Sequence, residues 1–162
     1  MSKSVKRVEE AARASGLDVN VLRMPDSTRT AAEAAQACGC AVSQIVKSMI
    51  FTGVDSGNLK LLLVSGAHDV DLARVRDWIG EGLSRADPKR VRAETGFAIG
   101  GVSPIGHLAP IETWMDSSLL GHDLVWAAAG APDAVFSVAP EALKAATGAR
   151  DLPLADASLA GA

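Results

Sequence analysis

The sequence has no apolar run long enough to cross a bilayer and no apolar core of the kind that a secretory signal peptide requires. A membrane-spanning helix needs about 18–20 consecutive apolar residues, whereas the first ten residues are largely charged and polar. Sixteen Lys and Arg residues stand against nineteen Asp and Glu, so a net charge of −3 gives no overall basic field for nucleic acid. These absences predict a cytoplasmic protein that binds neither membranes nor DNA.

Cysteine is scarce, and the two cysteines of the chain, Cys38 and Cys40, form a Cys-Gly-Cys step. Neighbours this close make a strained disulfide, and no histidine lies nearby in the sequence to complete a metal site. We therefore expect two reduced thiols that behave as small apolar residues, as in proteins of reducing compartments.

The motifs of several large enzyme classes are also missing. The chain has no Walker phosphate loop, no Gly-x-Gly-x-x-Gly and no His-Glu-x-x-His. The segment from Gly101 through Ser103 to Ile105 departs from the Gly-x-Ser-x-Gly nucleophile elbow at its last position. If the chain is an enzyme, we expect it to work without a conventional protein nucleophile.

Histidine is sparse as well, and no metal or cofactor is predicted. His68, His107 and His122 are too far apart in the sequence to indicate a site by their spacing. A cluster of His68 with Asp69 and Asp71 is a weak metal candidate, because Asp71 is also needed to cap the helix that follows it.

Helices are predicted where apolar residues recur at helical spacing between a cap and a glycine. Thr30 and Glu33 form a capping box ahead of an alanine-rich helix. In a later helix, capped by Asp71, we expect Trp78 to face the core. The predicted helices are Ser4–Ser15, the segment from Thr30 to Gly39, Asp71–Ile79, the segment from Asp87 to Gly96, and Glu141–Thr147.

Strands and helices are interspersed without a regular βαβ rhythm, and several strands are joined as hairpins, which favours an α+β domain. We expect one domain over residues 1–162, with a frayed tail from Asp151 that retains at most a short strand at Leu152–Leu154. The other predicted strands are Val19–Met24, Gln44–Thr52, Leu59–Ser65, Phe97–Ile99, Ile111–Met115, Leu124–Ala129 and Ala134–Val138.

A glycine-rich stretch, Thr95–His107, is the strongest local signal. The adjacent Gly100 and Gly101 allow positive φ and leave room for a ligand to approach the main chain, and Pro104 fixes the backbone after Ser103. Such loops present backbone N–H groups as oxyanion holes and anion-binding nests do. The alternative is a plain glycine-rich turn between two strands.

Lys47 is a single cation inside an otherwise apolar strand. A lysine at a sheet edge extends to solvent and prevents edge pairing. Alternatively, Lys47 is held at the mouth of a pocket, where it meets a phosphate or a carbonyl oxygen.

Three segments occur together and in order: the strand around Lys47, the loop Thr95–His107, and the segment Trp126–Val138. Together they resemble the YbaK/prolyl-tRNA synthetase editing-domain family over roughly residues 30–147. The resemblance implies a compact α+β fold with a barrel-like sheet. It also implies hydrolysis of wrongly charged aminoacyl-tRNA, usually tRNA for proline.

The resemblance further implies a set of catalytic residues. The lysine at the position of Lys47 lies near the 3′-terminal adenosine and the aminoacyl group. A Gly-x-x-x-Pro loop, matched here by residues 100–104, offers backbone amides to the scissile carbonyl. The candidate catalytic residues are Lys47, Gly100, Gly101, Val102 and Ser103.

Substrate contacts are implied in the same way. Ser48 follows the lysine at a position where family members vary, and Asp133 is the best match to an acidic or histidine residue that follows a late glycine. The candidate substrate-binding residues are Thr30, Ser48, Pro104 and Asp133.

The resemblance finally implies a freestanding protein that acts in trans on aminoacyl-tRNA, with prolyl-tRNA synthetase or an elongation factor as a partner. The basic segment Arg74–Arg92 is either a tRNA contact or a solvated helical face. A non-catalytic aminoacyl- or nucleotide-binding module, and a hydrolase of another small activated ester, remain as alternatives.

Overall fold

The computed structural model describes residues 2–25 and 28–154 of the chain. Within them, one mixed sheet runs in the order β1-β7-β6-β2-β3-β5-β8, and β4 pairs with β2 beside this path. The strands are β1 (Val21–Arg23), β2 (Ile45–Gly53), β3 (Leu59–Ser65), β4 (Leu83–Arg85), β5 (Glu112–Asp116), β6 (Val125–Ala128), β7 (Ala134–Val138) and β8 (Arg150–Leu152).

The sheet combines hairpins with parallel pairs. β2 pairs with β3, and β6 with β7, as antiparallel neighbours, whereas β2–β6, β3–β5 and β5–β8 are parallel. β2 is an interior strand: it pairs with β3 over most of its length, with β6 at its start and with β4 at its end. This mixture confirms the predicted α+β class.

The helices begin and end at residues that satisfy their terminal backbone groups. Thr30 accepts from the Glu33 amide and Glu33 bonds back to the Thr30 amide, so the predicted capping box is confirmed. The helices are α1 (Lys3–Ala14), α2 (Ala31–Cys38), α3 (Leu72–Ile79), α4 (Pro88–Thr95) and α5 (Pro140–Thr147), with 3₁₀ turns at Val42–Gln44 and Ser117–Gly121.

The core lies on both sides of β3, all seven residues of which are buried. The larger cluster packs α1 and α5 against the sheet and includes Val8, Phe97 and Phe136. The smaller cluster packs α3 against the other face through Val75 and Trp114. No helix in the described part of the chain is long and apolar enough to span a membrane.

Two expectations from the sequence are wrong. Phe97–Ile99 is not a strand: Phe97 is buried, and the chain then turns, with the Gly101 amide donating to the Ala98 carbonyl at 3.0 Å. Trp78 is 49% exposed, because the buried stripe of α3 is centred on Val75 and Ile79 and Trp78 lies beside it.

The short strands were the hardest to predict. β4 was not predicted, because three residues carry too little periodicity to be recognised. The last strand covers Arg150–Leu152 rather than Leu152–Leu154, and the predicted fraying of the tail beyond residue 154 lies outside the described residues.

Candidate active site

A cavity of about 320 Å³ opens between the first half of β2, β6, the start of α2 and the glycine-rich loop. Its apolar wall includes Ile45, Met49 and Trp126. Its polar and loop residues include five of the nine that the sequence singled out. These five are Thr30, Lys47, Ser48, Gly100 and Val102.

Lys47 lies on an interior strand, paired opposite Val64, so it does not guard an edge of the sheet. Its side chain is 25% exposed. The ammonium Nζ donates to the backbone carbonyl of His68 at 2.5 Å and lies 3.8 Å from a carboxylate oxygen of Asp69. The Lys47 ammonium therefore lies at the cavity, and its hydrogen bond to the His68 carbonyl fixes the orientation of the side chain.

Ser48 stands where two cavities meet. It lines the cavity described above and also a second one of about 300 Å³, together with Met49, Ile99, Gly100 and Val102. Its hydroxyl oxygen is buried and has no hydrogen-bond partner among the described residues. Since buried polar groups are normally satisfied, this oxygen is a candidate contact for a bound molecule.

The glycine pair shapes the loop that faces Lys47 across the cavity lining. Gly100 has φ of +96°, which the turn from Ala98 to Gly101 requires and which side chains rarely adopt. A Cβ on Gly101 would lie 3.0 Å from a backbone carbon of Ala131, so this position packs closely on the 130–133 turn. Gly100 lines the cavity and Gly101 does not.

Val102 lines the cavity, but the two residues that follow it, Ser103 and Pro104, do not. Ser103 is completely buried; its hydroxyl accepts from the Ile105 amide, and its carbonyl accepts from His107 Nε2 at 2.7 Å. Pro104 lines a different cavity, beside His107. The catalytic and binding roles of the nine residues stay predictions, but the cavity brings together only part of them.

Thr30 and Asp133 are separated by the structure. Thr30 lines the cavity while it caps α2. Asp133 lies on the turn before β7 and forms an ion pair with Arg23 at 3.1 Å, outside the cavity lining. The same turn fixes Thr28, which lines the cavity, because the Thr28 amide and hydroxyl both donate to the Pro132 carbonyl.

Arg7 fastens the glycine-rich loop and was not found from the sequence. Its guanidinium donates to the carbonyls of Gly96, at 2.8 Å, and Gly106, at 2.9 Å, and lies 4.7 Å from the ring centre of Phe97. Arg7 belongs to α1, far away in the sequence, and a charged residue on an amphipathic helix gives no signal of such a contact.

Neither of the two thiols is a ready nucleophile, and the described residues form no metal-binding cluster. Burial, reinforced by the neighbouring Cys40, raises the pKa of Cys38 to about 11, and burial raises the pKa of Cys40 as well, so both thiols stay protonated at neutral pH. Within residues 2–25 and 28–154, no group of three His, Cys, Asp or Glu side chains could hold a metal ion.

Part of the basic segment borders the second cavity. Arg85, Ala86 and Pro88 belong to its lining. Arg90 is paired with Glu94. The exposed cations of the segment are Arg76, Arg85, Lys89 and Arg92.

Comparison with known proteins agrees with this architecture. A family model described as an aminoacyl-tRNA editing domain matches residues 25–146. The protein YwhH of Bacillus subtilis (strain 168), described as uncharacterized, is 29% identical over 76% of this chain and 78% of its own length.

A second relative is a proline–tRNA ligase of Thermosipho melanesiensis, 32% identical over 49% of this chain. The match covers 14% of that ligase. A crystal structure described as a candidate trans-editing enzyme for prolyl-tRNA synthetase superposes with a TM-score of 0.89 at 44% identity, covering 100% of this chain and 99% of that one. The chain belongs to the aminoacyl-tRNA editing-domain family, the YbaK-like deacylases that hydrolyse aminoacyl-tRNA.

Proposed function

We propose that this chain is a trans-editing deacylase that removes a small, wrongly attached amino acid from tRNA for proline. The observation that carries the proposal is that Lys47 and the loop residues Gly100 and Val102 line one cavity. The proline-specific names of two relatives support the choice of tRNA.

The reaction splits an ester that is already activated. Water adds to the aminoacyl carbonyl carbon, and the tetrahedral intermediate then expels the ribose oxygen, which takes up a proton to become a hydroxyl. The products are the free amino acid and uncharged tRNA. We assign proton transfer to the neighbouring free hydroxyl of the terminal ribose, which makes a protein base unnecessary.

Oxyanion stabilisation falls to backbone amides of the loop. The Gly101 amide already donates to Ala98, so we assign this role to the amides of Gly100 and Val102, the two loop residues on the cavity wall. One such donor typically contributes about 10²–10³ in rate, because it is fixed before charge develops.

Lys47 holds the substrate in register. An ammonium group has three N–H donors, and one of them is used by the His68 carbonyl. The others are available for the terminal phosphate or ribose, which would fix the ester beneath the loop amides.

The part of the site beside Ser48, where the two cavities meet, is the candidate for selection of the amino acid. A pocket discriminates one methylene by only about 1–3 kcal/mol, so selection by size alone also admits some amino acids that differ by a single methylene. The candidate substrates are alanine, serine, cysteine and 2-aminobutyrate, and the Ser48 hydroxyl offers a hydrogen bond to those with a polar side chain.

Delivery of the tRNA requires help from outside the cavity. A net charge of −3 predicts weak intrinsic tRNA affinity. We propose that the exposed cations near the second cavity contact the acceptor stem and that prolyl-tRNA synthetase or an elongation factor presents the substrate. The site of action is then the cytoplasm, where this substrate is made.

The test is deacylation of proline tRNA carrying alanine, serine, cysteine, 2-aminobutyrate or proline, with the wild type beside Lys47→Ala. We expect hydrolysis of one or two small mischarged species, sparing of prolyl-tRNA, and a loss of at least tenfold in the variant. If the protein binds these species but hydrolyses none of them, the deacylase proposal is wrong and the chain is a binding module. Equal turnover of an aminoacyl-adenosine fragment and full tRNA would indicate another ester substrate.

A further inference from the structure

Asp116, at the end of β5, is completely buried, and each of its two carboxylate oxygens has two polar partners. One oxygen accepts from the Ser118 amide at 3.0 Å and the Ser118 hydroxyl at 2.8 Å. The other accepts from the Ser65 amide at 3.1 Å and lies 2.7 Å from His68 Nδ1. A buried carboxylate is costly unless it is satisfied in this way, so the cluster holds these groups in one arrangement.

The contacts of Asp116 converge on the turn that follows β3. The His68 amide donates to the Ser65 carbonyl at 2.9 Å, which closes the turn. The Ser65 hydroxyl donates to the Ser43 carbonyl at 3.0 Å. A Cβ on Gly66 would lie 2.4 Å from the Val42 carbonyl oxygen, so the turn also packs tightly on the segment before β2.

This turn carries the acceptor that fixes Lys47. The His68 backbone carbonyl receives the Lys47 ammonium, while the His68 ring is held by Asp116. Since a carboxylate can only accept, Nδ1 is the protonated ring nitrogen in this contact. Asp69 also lies near the ammonium, but its side chain is fully exposed and such a pair contributes little.

We propose that Asp116 and His68 are positioning residues that hold Lys47 at the cavity. A lysine has a flexible four-carbon stem, and a fixed carbonyl limits the directions its ammonium can take. Without the ring contact, the turn relaxes and the Lys47 side chain is no longer held in one direction. This inference rests on the proposed role of Lys47 in deacylation.

The first test is a double-mutant cycle on the deacylation kinetics. We expect His68→Ala to lower kcat/KM about tenfold in the wild-type background and less than twofold in the Lys47→Ala background, because the two residues act as one unit. The matched control is His122→Ala, since the His122 ring makes no hydrogen bond within the described part of the chain. Equal losses in both backgrounds, or no loss in either, would overturn the inference.

The second test needs no tRNA. Acetic anhydride labelling of the folded protein, resolved by mass spectrometry, reports the accessibility of the Lys47 amine. We expect His68→Ala and Asp116→Asn to increase labelling of Lys47 severalfold while Lys144 serves as the internal reference. Unchanged Lys47 labelling in a folded His68→Ala variant would refute the positioning role. Increased labelling in a protein with no deacylase activity would reject the proposed function and leave the positioning role standing.

Discussion

Arg7 Nε donates a 2.9 Å hydrogen bond to the carbonyl oxygen of Gly106, which ties α1 to the far end of the glycine-rich loop. The same guanidinium binds the near end at Gly96. One side chain therefore fixes both ends of the loop that carries Gly100 and Val102. The active-site wall depends on a helix that contributes no residue to the cavity lining.

Arg7→Ala should lower both stability and activity. Hydrogen bonds to charged groups contribute about 1.5–3 kcal/mol each, and with partial exposure we expect a loss of about 2 kcal/mol in the free energy of unfolding. Deacylation should fall as the loop loosens. Urea denaturation and kcat/KM measure the two effects. The control is Arg13→Ala on the exposed face of α1; an equal effect there would show that helix charge, not the loop contact, is responsible.

Gly100→Ala tests the turn at the cavity. Its φ of +96° costs an L-residue roughly 1–2 kcal/mol, although a Cβ there would meet Arg29 at an ordinary 3.5 Å. Gly57→Ala is a matched control, since φ is +72° and nothing lies within 4 Å of the new Cβ. We expect similar losses of stability in the two variants and a large loss of kcat for Gly100→Ala alone. Full activity in Gly100→Ala would remove the loop from the mechanism.

The sequence predicted what local physics determines. The Thr30–Glu33 capping box and the hairpin of β2 and β3 follow from neighbouring residues. Lys47 and Gly100 line one cavity, but only the family resemblance, not their neighbours in the sequence, placed them in one site. The direction in which each loop residue points was harder to predict. The loop motif groups Gly100 with Ser103, but after the turn at Gly100 the Ser103 side chain is buried in the core.

The contacts that support the site could not be predicted. Arg7 and Gly106 are 99 positions apart, and His68 and Asp116 are 48 apart. Each pair meets because separate elements pack on the same sheet, and no spacing rule in a single sequence joins them. Exposed Trp78 shows the same limit, since an apolar residue beside a buried stripe is not itself buried.

His107 should make stability depend on pH. Burial lowers its pKa below the usual 6.5; the hydrogen bond to Ser103 opposes this shift, and the nearby Arg7 cation adds to it. Because the unfolded chain then binds a proton more readily, the stabilisation is complete above about pH 6.5 and is lost as the pH falls through the folded value. We expect unfolding free energy to drop between pH 7.5 and 5.

His107→Gln isolates the contribution of His107 to the pH dependence, because the glutamine side-chain amide can still donate to the Ser103 carbonyl while it does not titrate. Its stability should change less than that of the wild type over the same pH range, as measured by urea denaturation at each pH. The His122→Ala control should retain the wild-type slope. An unchanged slope in His107→Gln would assign the acid sensitivity to other groups.

Ser48→Ala tests whether the unpaired hydroxyl serves the substrate. Its oxygen is buried without a partner in the described structure, so its removal should leave stability unchanged or raise it by up to about 1 kcal/mol. If the hydroxyl binds a polar side chain of the amino acid, the variant should lose activity on seryl-tRNA for proline more than on the alanyl form. The ratio of the two kcat/KM values measures this. A destabilised variant with an unchanged ratio would make Ser48 a structural residue, whereas a stable variant with a shifted ratio would make it a determinant of specificity.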